Sequence, residues 1–403
     1  MAQNTKNKLR VPYALAVHGD EEEKAVLDVI RSRKTIMGEK TKEFENKVAS
    51  QFGKKHGIMV NSGSSANLLA FELLNLPKDS EIITPVLTFS TTVAPVVQKG
   101  LTPVFVDVEL GKYLIDLKQV KDAVTKKTKC LAIPSLLGNI PDLTAVNKIA
   151  KDNNLFYIED SCDTIGATFN GEPTGKHTDI STTSFYGSHI ITAGGGGGMI
   201  CVNNDDWNKR CRVLRGWGRS SAIDESEDVN KRFGVELDGI QYDSKFIFNE
   251  VGYNFLPTEI GAAFGIEQLK KLPAFTKIRQ GNFSELEKFF SQYSKYFILP
   301  KQLENVKTNW LAFPLTITSD APFSRLDIVK YLEENNIQTR PVFTGNILRQ
   351  PGFKKVNYRT FSQDYPNADY IMKNGFLVGC NQGLNKEHID YMKSIFSNFL
   401  DRF

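Results

Sequence analysis

The chain has 403 residues, enough for two or three domains around a large core. A composition of 41% hydrophobic and 24% charged residues is that of a globular protein and excludes a mainly disordered one. Fifty Lys and Arg against 46 Asp and Glu leave a formal charge of +4, too mild for nucleic acid or an anionic membrane to be the main partner. In chain order, Asp20 is placed to cap a helix running to about Ser32, with Ala25, Val26, Val29 and Ile30 on one face. Phe44, Val48 and Phe52 give a second helix the same way. A strand, His56–Val60, leads through a small-residue loop into a helix carrying Leu68, Leu69, Leu73 and Leu74. Strands are then predicted at Glu81–Val86, Thr102–Val108, Lys129–Ser135, Phe156–Asp160, Ile180–Phe185 and Gly198–Val202. Helices are expected between the earlier ones, from Ser90 to Lys99, Leu117 to Val124 and Leu143 to Asn153.

This alternation implies parallel strands joined by helical crossovers. The glycines of Gly194–Gly198 lie between two strand-like segments, so they read as a tight backbone turn and not as a linker. Beyond about Lys270 the texture changes to a helical stretch through Phe275–Phe297, strands Leu311–Ile317 and Gln338–Phe343, and helices Leu326–Asn335 and Lys386–Leu400. The expected organisation is an N-terminal segment, 1–20, a large α/β domain, 21–270, and a small α+β domain, 271–403. No apolar run approaches the ~18 residues of a membrane span. The N-terminus has basic residues but no long apolar stretch or small-residue cleavage site, so no signal peptide is expected. The five cysteines are scattered without CxxC or CxC spacing, which suits free thiols in a reducing cytoplasm. No pair of histidines has metal-ligand spacing.

Ligands of an open parallel sheet bind outside the carboxyl ends of its strands. Four polar clusters fall there. Ser62-Gly63-Ser64-Ser65 starts a helix, where amides and hydroxyls suit an anion, or simply a capped helix start. Phe89, in Thr88-Phe89-Ser90, could cover a flat ring or join the core. Glu159-Asp160-Ser161-Cys162-Asp163 ends a buried strand with carboxylates that need partners; Asp160 could cap the next turn or bind a cationic ring nitrogen. Ser184-Phe185-Tyr186-Gly187-Ser188-His189 ends another, with a histidine that is either structural or reactive.

Taken in this order, the clusters resemble the sugar aminotransferases of fold type I, the DegT/DnrJ/EryC1 family, which depend on pyridoxal 5′-phosphate (PLP). The resemblance runs from Met37-Gly38-Glu39 and Phe44-Glu45 to the last helix. It implies an aspartate aminotransferase-like α/β fold, with a large, mostly parallel sheet domain and a smaller C-terminal α+β domain. It further implies that Gly63, Ser64, Ser65 and Ser184 hold the cofactor phosphate, that Phe89 stacks on the pyridine and that Asp160 pairs with the ring nitrogen. Asn254, in Gly252-Tyr253-Asn254, matches an Asn that reaches the phosphate of a partner subunit, which implies a homodimer. Asp163 stands near the ring hydroxyl where most of the family carry Gln.

A PLP aminotransferase needs a lysine to hold its cofactor covalently. Here His189 occupies that position, and no lysine lies between Lys176 and Lys209. This substitution resembles the nucleotide-sugar 3-dehydratases of 3,6-dideoxysugar biosynthesis, as do Thr339-Arg340-Pro341 and Thr344-Gly345-Asn346. One branch takes GDP-linked 4-keto-6-deoxysugars; another takes CDP-linked ones, carries a [2Fe–2S] cluster and needs a reductase. The cluster's cysteines would follow a segment like Arg215–Arg219, but Ser220–Ser226 contains none, and Cys162 alone cannot supply four ligands. Lys231-Arg232-Phe233-Gly234 and Arg349-Gln350-Pro351 look closer to the CDP branch. The resemblance therefore implies a cytoplasmic lyase with non-covalent PLP or its amine form, pyridoxamine phosphate (PMP), and His189 as catalytic base. L-glutamate would be the amino donor, and no metal or reductase would be needed. The alternatives are a sugar aminotransferase, a reductase-coupled dehydrase and a non-enzymatic binding protein on the same fold.

Overall fold

The computed structural model describes residues 9–223 and 228–403, so the stretch Ser220–Ser226 lies within the described residues only as far as 223. In chain order the strands used below are β1 (His56–Val60), β2 (Glu81–Pro85), β3 (Thr102–Val106), β4 (Thr128–Pro134), β5 (Phe156–Asp160), β6 (Ile180–Ser184) and β7 (Gly198–Val202). They continue with β8 (Phe297–Ile298), β9 (Phe313–Ile317), β10 (Thr339–Pro341), β11 (Arg359–Thr360) and β12 (Gly375–Val378).

The large sheet has eight strands in the order β1–β7–β6–β5–β4–β2–β3–β11. Every residue of β2, β6 and β7 is buried, as expected of strands covered by helices on both faces. Pairings along β6–β5–β4–β2–β3–β11 are parallel. The exception is β7, antiparallel to both β1 and β6. This agrees with the mostly parallel sheet expected from the sequence; the antiparallel step arises because no crossover helix separates β6 from β7. The chain instead doubles back through Gly194, Gly195 and Gly197, whose φ values of 74°, 102° and 119° suit glycine. That return loop carries His189.

The second sheet is antiparallel, in the order β8–β9–β12–β10. A core of Val86, Leu87 and Phe105 from the large sheet with Phe290, Phe313 and Phe376 joins the two sheets into one packed body. The N-terminal segment lies along the second sheet, where Val11 bridges Ile337. A single helix, Glu259–Phe290, starts at the Thr258 cap and runs through Pro273. The sequence reading begins this helix only near Phe275. Helix Pro366–Asn374, strand β12 and edge strand β11 have no counterpart in that reading. No helix among the described residues is long and apolar enough to cross a membrane.

Candidate active site

A cavity of about 860 Å³ opens between the carboxyl ends of β1, β2, β4, β5 and β6 on one side and the second sheet with the N-terminal segment on the other. Of the residues singled out in the sequence, Gly63, Ser64, Phe89, Asp160, Asp163, Ser184 and His189 line it together.

Its anion-binding corner is made by two strand ends. Ser62, after β1, caps helix Gly63–Leu74 by accepting the Ser65 amide at 3.1 Å. A Cβ on Gly63 would stand 2.6 Å from Ser184 Cβ and 3.0 Å from Cys162 Sγ, so only glycine lets the helix start against the end of β6. The helix N-terminus, Ser64 and Ser184 line the cavity there, and such a corner favours a phosphate. Ser65 does not line the cavity: its hydroxyl donates to Asn61 Oδ1 at 2.7 Å and meets Ser62 Oγ at 3.0 Å.

Asp160 ends β5 and is buried against neutral donors. Its Oδ2 accepts from Asn67 Nδ2 and Thr92 Oγ1, each at 2.8 Å, and its Oδ1 from the Cys162 amide at 3.3 Å. Thr182 Oγ1 donates to Asn67 Oδ1 at 2.6 Å and so fixes which end of that amide faces the acid. None of these three supports was singled out in the sequence. Asn67 had a signal: a buried amide in an otherwise apolar helix face calls for a polar partner. Phe89 leaves half of its ring exposed on the cavity wall and meets Phe343 edge-on at 6.0 Å. An anion corner, a donor-supported carboxylate and an exposed aromatic face fit the phosphate, ring nitrogen and ring of PLP.

His189 Nδ1 lies 3.3 Å from the Ser184 carbonyl oxygen. A carbonyl only accepts, so Nδ1 carries the hydrogen and Nε2 the lone pair. Nε2 stands 3.9 Å from Asp163 Oδ1. Burial holds the imidazole below its usual range, against the pull of the Ser184 contact and Asp160. Burial and the neighbouring Asp160 carboxylate push the Asp163 carboxyl up to about 7. Burial likewise pushes the Cys162 thiol up, so it stays protonated. Tyr13 and Arg340 form the opposite wall, the guanidinium 5.5 Å above the Tyr13 ring. Arg340 was quoted in the sequence only as part of a motif; Tyr13 was not recognised. No lysine lines the cavity among the described residues.

Asn254 stands apart from this cavity. It is exposed, in a bridge to Gly216.

The model of the DegT/DnrJ/EryC1/StrS aminotransferase family matches residues 17–396. The chain is 39% identical to the lipopolysaccharide biosynthesis protein RfbH of Salmonella typhimurium, over 88% of this chain and 84% of that protein. It is 36% identical to the dTDP-4-dehydro-2,6-dideoxy-D-glucose 3-dehydratase of Saccharopolyspora spinosa, over 96% of this chain and 85% of the relative. It is also 36% identical to the GDP-4-keto-6-deoxy-D-mannose 3-dehydratase of Escherichia coli O55:H7, over 96% and 99%. A solved structure of the E. coli enzyme of that name with bound hydrated PLP matches with a TM-score of 0.87 and 34% identity, covering 96% of this chain and 100% of the other. A structure of a GDP-4-keto-6-deoxymannose-3-dehydratase with a trapped PLP-glutamate geminal diamine matches with a TM-score of 0.86 and 33% identity, over 96% and 99%.

Proposed function

The chain belongs to the DegT/DnrJ/EryC1/StrS aminotransferase family, and on that premise we propose that it is a PLP-dependent nucleotide-sugar 3-dehydratase. It removes the C3 hydroxyl of a GDP-linked 4-keto-6-deoxysugar, with L-glutamate as amino donor. The observation that carries this reading is the cavity's reactive end: His189, and no lysine, stands on the loop after β6. The relatives named as 3-dehydratases support the reaction class.

When bound, PLP supplies an electron sink and, in its amine form, the amino group. The residues around it would hold and orient it. Gly63, Ser64 and Ser184 take the phosphate, and Ser65 supports that corner through the Ser62 cap. Asp160, fixed by Asn67 and Thr92, keeps the ring nitrogen protonated. Phe89 covers the ring, and Asp163 lies toward its hydroxyl. His189 Nε2 takes a proton from carbon and later returns one to the departing C3 oxygen, so one imidazole serves as base and then acid. The binding is non-covalent because no side chain in the lining can form the lysine linkage.

The reading includes a homodimer. Asn254 is exposed and off its own cavity, beside Val251, which is 98% exposed, and Phe248, 57% exposed. An exposed apolar strip with a polar residue suits a two-fold contact in which Asn254 serves the neighbour's phosphate. Five free cysteines are in keeping with a cytoplasmic enzyme.

Purified protein with PLP and L-glutamate, and no reductase, is to be assayed on GDP-, CDP- and dTDP-linked 4-keto-6-deoxysugars by mass spectrometry. The expected result is turnover of the GDP compound to a product lighter by one oxygen atom. An amino sugar as product would make the protein an aminotransferase instead.

A further inference from the structure

Asp163, placed near the cofactor's ring hydroxyl in the reading above, has a second neighbour in the geometry, His189. Its two oxygens are used differently. Oδ2 accepts the Leu137 amide at 3.0 Å, which pins the carboxyl group to the loop after β4. Oδ1 has no hydrogen-bond donor among the described residues and faces His189 Nε2 at 3.9 Å. On the histidine side, the Ser184 carbonyl holds Nδ1, so the ring cannot turn its lone pair away from Asp163 without losing that contact. Each group is therefore fixed by one backbone partner and aimed at the other across the cavity.

We propose that Asp163 is the counter-ion that allows His189 to act as a base. Its carboxylate neutralises the imidazolium formed when Nε2 takes a proton inside the cavity. This rests on the dehydratase reading for its place in turnover, though the pairing itself does not depend on the substrate. The step balances: a C–H bond breaks, its electron pair stays with the bound reactants, and an Nε2–H bond forms. When His189 later acts as acid, the Nε2–H and C3–O bonds break, the C–O electron pair goes to oxygen, an O–H bond forms and water leaves.

The other charged and titratable groups around the pair are engaged elsewhere. Asp160 also favours the imidazolium, but its oxygens are held by Asn67, Thr92 and the Cys162 amide. Cys162 stays protonated through burial, and burial with Asp163 pushes the Tyr13 phenol above its ordinary value. Tyr186 meets the His189 ring edge-on at 6.0 Å. Arg279, fully buried in the long helix, is cationic and directed at backbone carbonyls of Trp310 and Leu311. Its charge disfavours an imidazolium, which makes an anion at Asp163 more necessary.

The sign of the pH effect follows. Because the Asp163 carboxyl is pushed up to about 7, it is protonated and neutral below that pH. Burial favours the unprotonated His189 imidazole, and a proton taken by it opposite a neutral Asp163 would lack that carboxylate as a partner. Above about 7 the same transfer creates an ion pair. Turnover should rise with pH as Asp163 ionises.

The test uses the PLP-loaded enzyme with histidines labelled with nitrogen-15. In the wild type, the His189 ring signals are expected to show an inflection between about pH 6 and 8 that reports Asp163. The inflection should vanish in Asp163→Asn, whose amide oxygen still accepts the Leu137 amide, and return in Asp163→Glu. The rising limb of kcat should vanish and return with it, while KM changes less than kcat. A wild-type His189 signal that is flat through this range, or an inflection unchanged in Asp163→Asn, would overturn the pairing. The spectrum needs no turnover, so failure of the dehydratase reading would show as an absent product with the inflection intact.

Discussion

The two walls of the cavity are built in contrasting ways. The large-sheet wall is made of strand ends: Gly63 after β1, Phe89 after β2, Asp160 at the end of β5 with Asp163 beyond it, and Ser184 at the end of β6 with His189 beyond it. Each side chain there is set by a neighbouring backbone or side-chain contact. Asp160 alone accepts three hydrogen bonds. The facing wall is made of Tyr13, Arg340 and Phe343, and Arg340 has no carboxylate partner on the described residues. Its recorded hydrogen bond is from Nη1 to the Thr339 carbonyl at 2.6 Å. A wall that is already satisfied is suited to fix a cofactor; a wall with an unspent cation is suited to receive the anionic reactants.

The comparison breaks first at His189. His189→Asn should lower the rate by roughly 10²–10⁴, the usual cost of losing a general base. The bound cofactor, followed by absorbance, should remain, because its other holds are untouched. Near-normal turnover would show that another group takes the proton. Borohydride treatment and peptide mapping of the wild type should find no lysine carrying the cofactor.

The second effect is steric. Gly63→Ala places a methyl 2.6 Å from Ser184 Cβ, where both backbones are held. Overpacking of this kind costs about 1–3 kcal/mol. The cost should be read as a lower Tm and a cofactor affinity weakened by roughly tenfold or more. Unchanged affinity would mean that the phosphate sits elsewhere.

The smallest effect on the fold is expected on the facing wall. Arg340→Ala should change stability by no more than about 0.5 kcal/mol, as for a surface position without a buried partner. It should leave cofactor affinity unchanged and raise KM for an anionic reactant. A loss of cofactor in this variant would erase the distinction between the walls.

The same division explains what was legible in the sequence. The large-sheet wall is local: a run such as Phe156–Asp160 announces its own end, and the next polar residues must lie at the sheet's carboxyl edge. Ser65 shows the limit of that logic, since the helix turn that presents Ser64 to the cavity points Ser65 at Asn61. Tyr13 and Arg340 meet across more than 300 positions, and nothing near either residue signals the other. Strand β12 escaped together with helix Pro366–Asn374, being only four residues long. The long helix is legible only from Phe275, although it starts at the Thr258 cap.

The removal of the C3 hydroxyl can be tested most directly by running the reaction in deuterium oxide with PLP, L-glutamate and GDP-4-keto-6-deoxymannose, without a reductase. The expected product lacks the C3 oxygen and carries deuterium at C3, because that carbon must regain a proton from solvent after the hydroxyl departs. A product that keeps its C3 oxygen and bears an amine at C4 would contradict it.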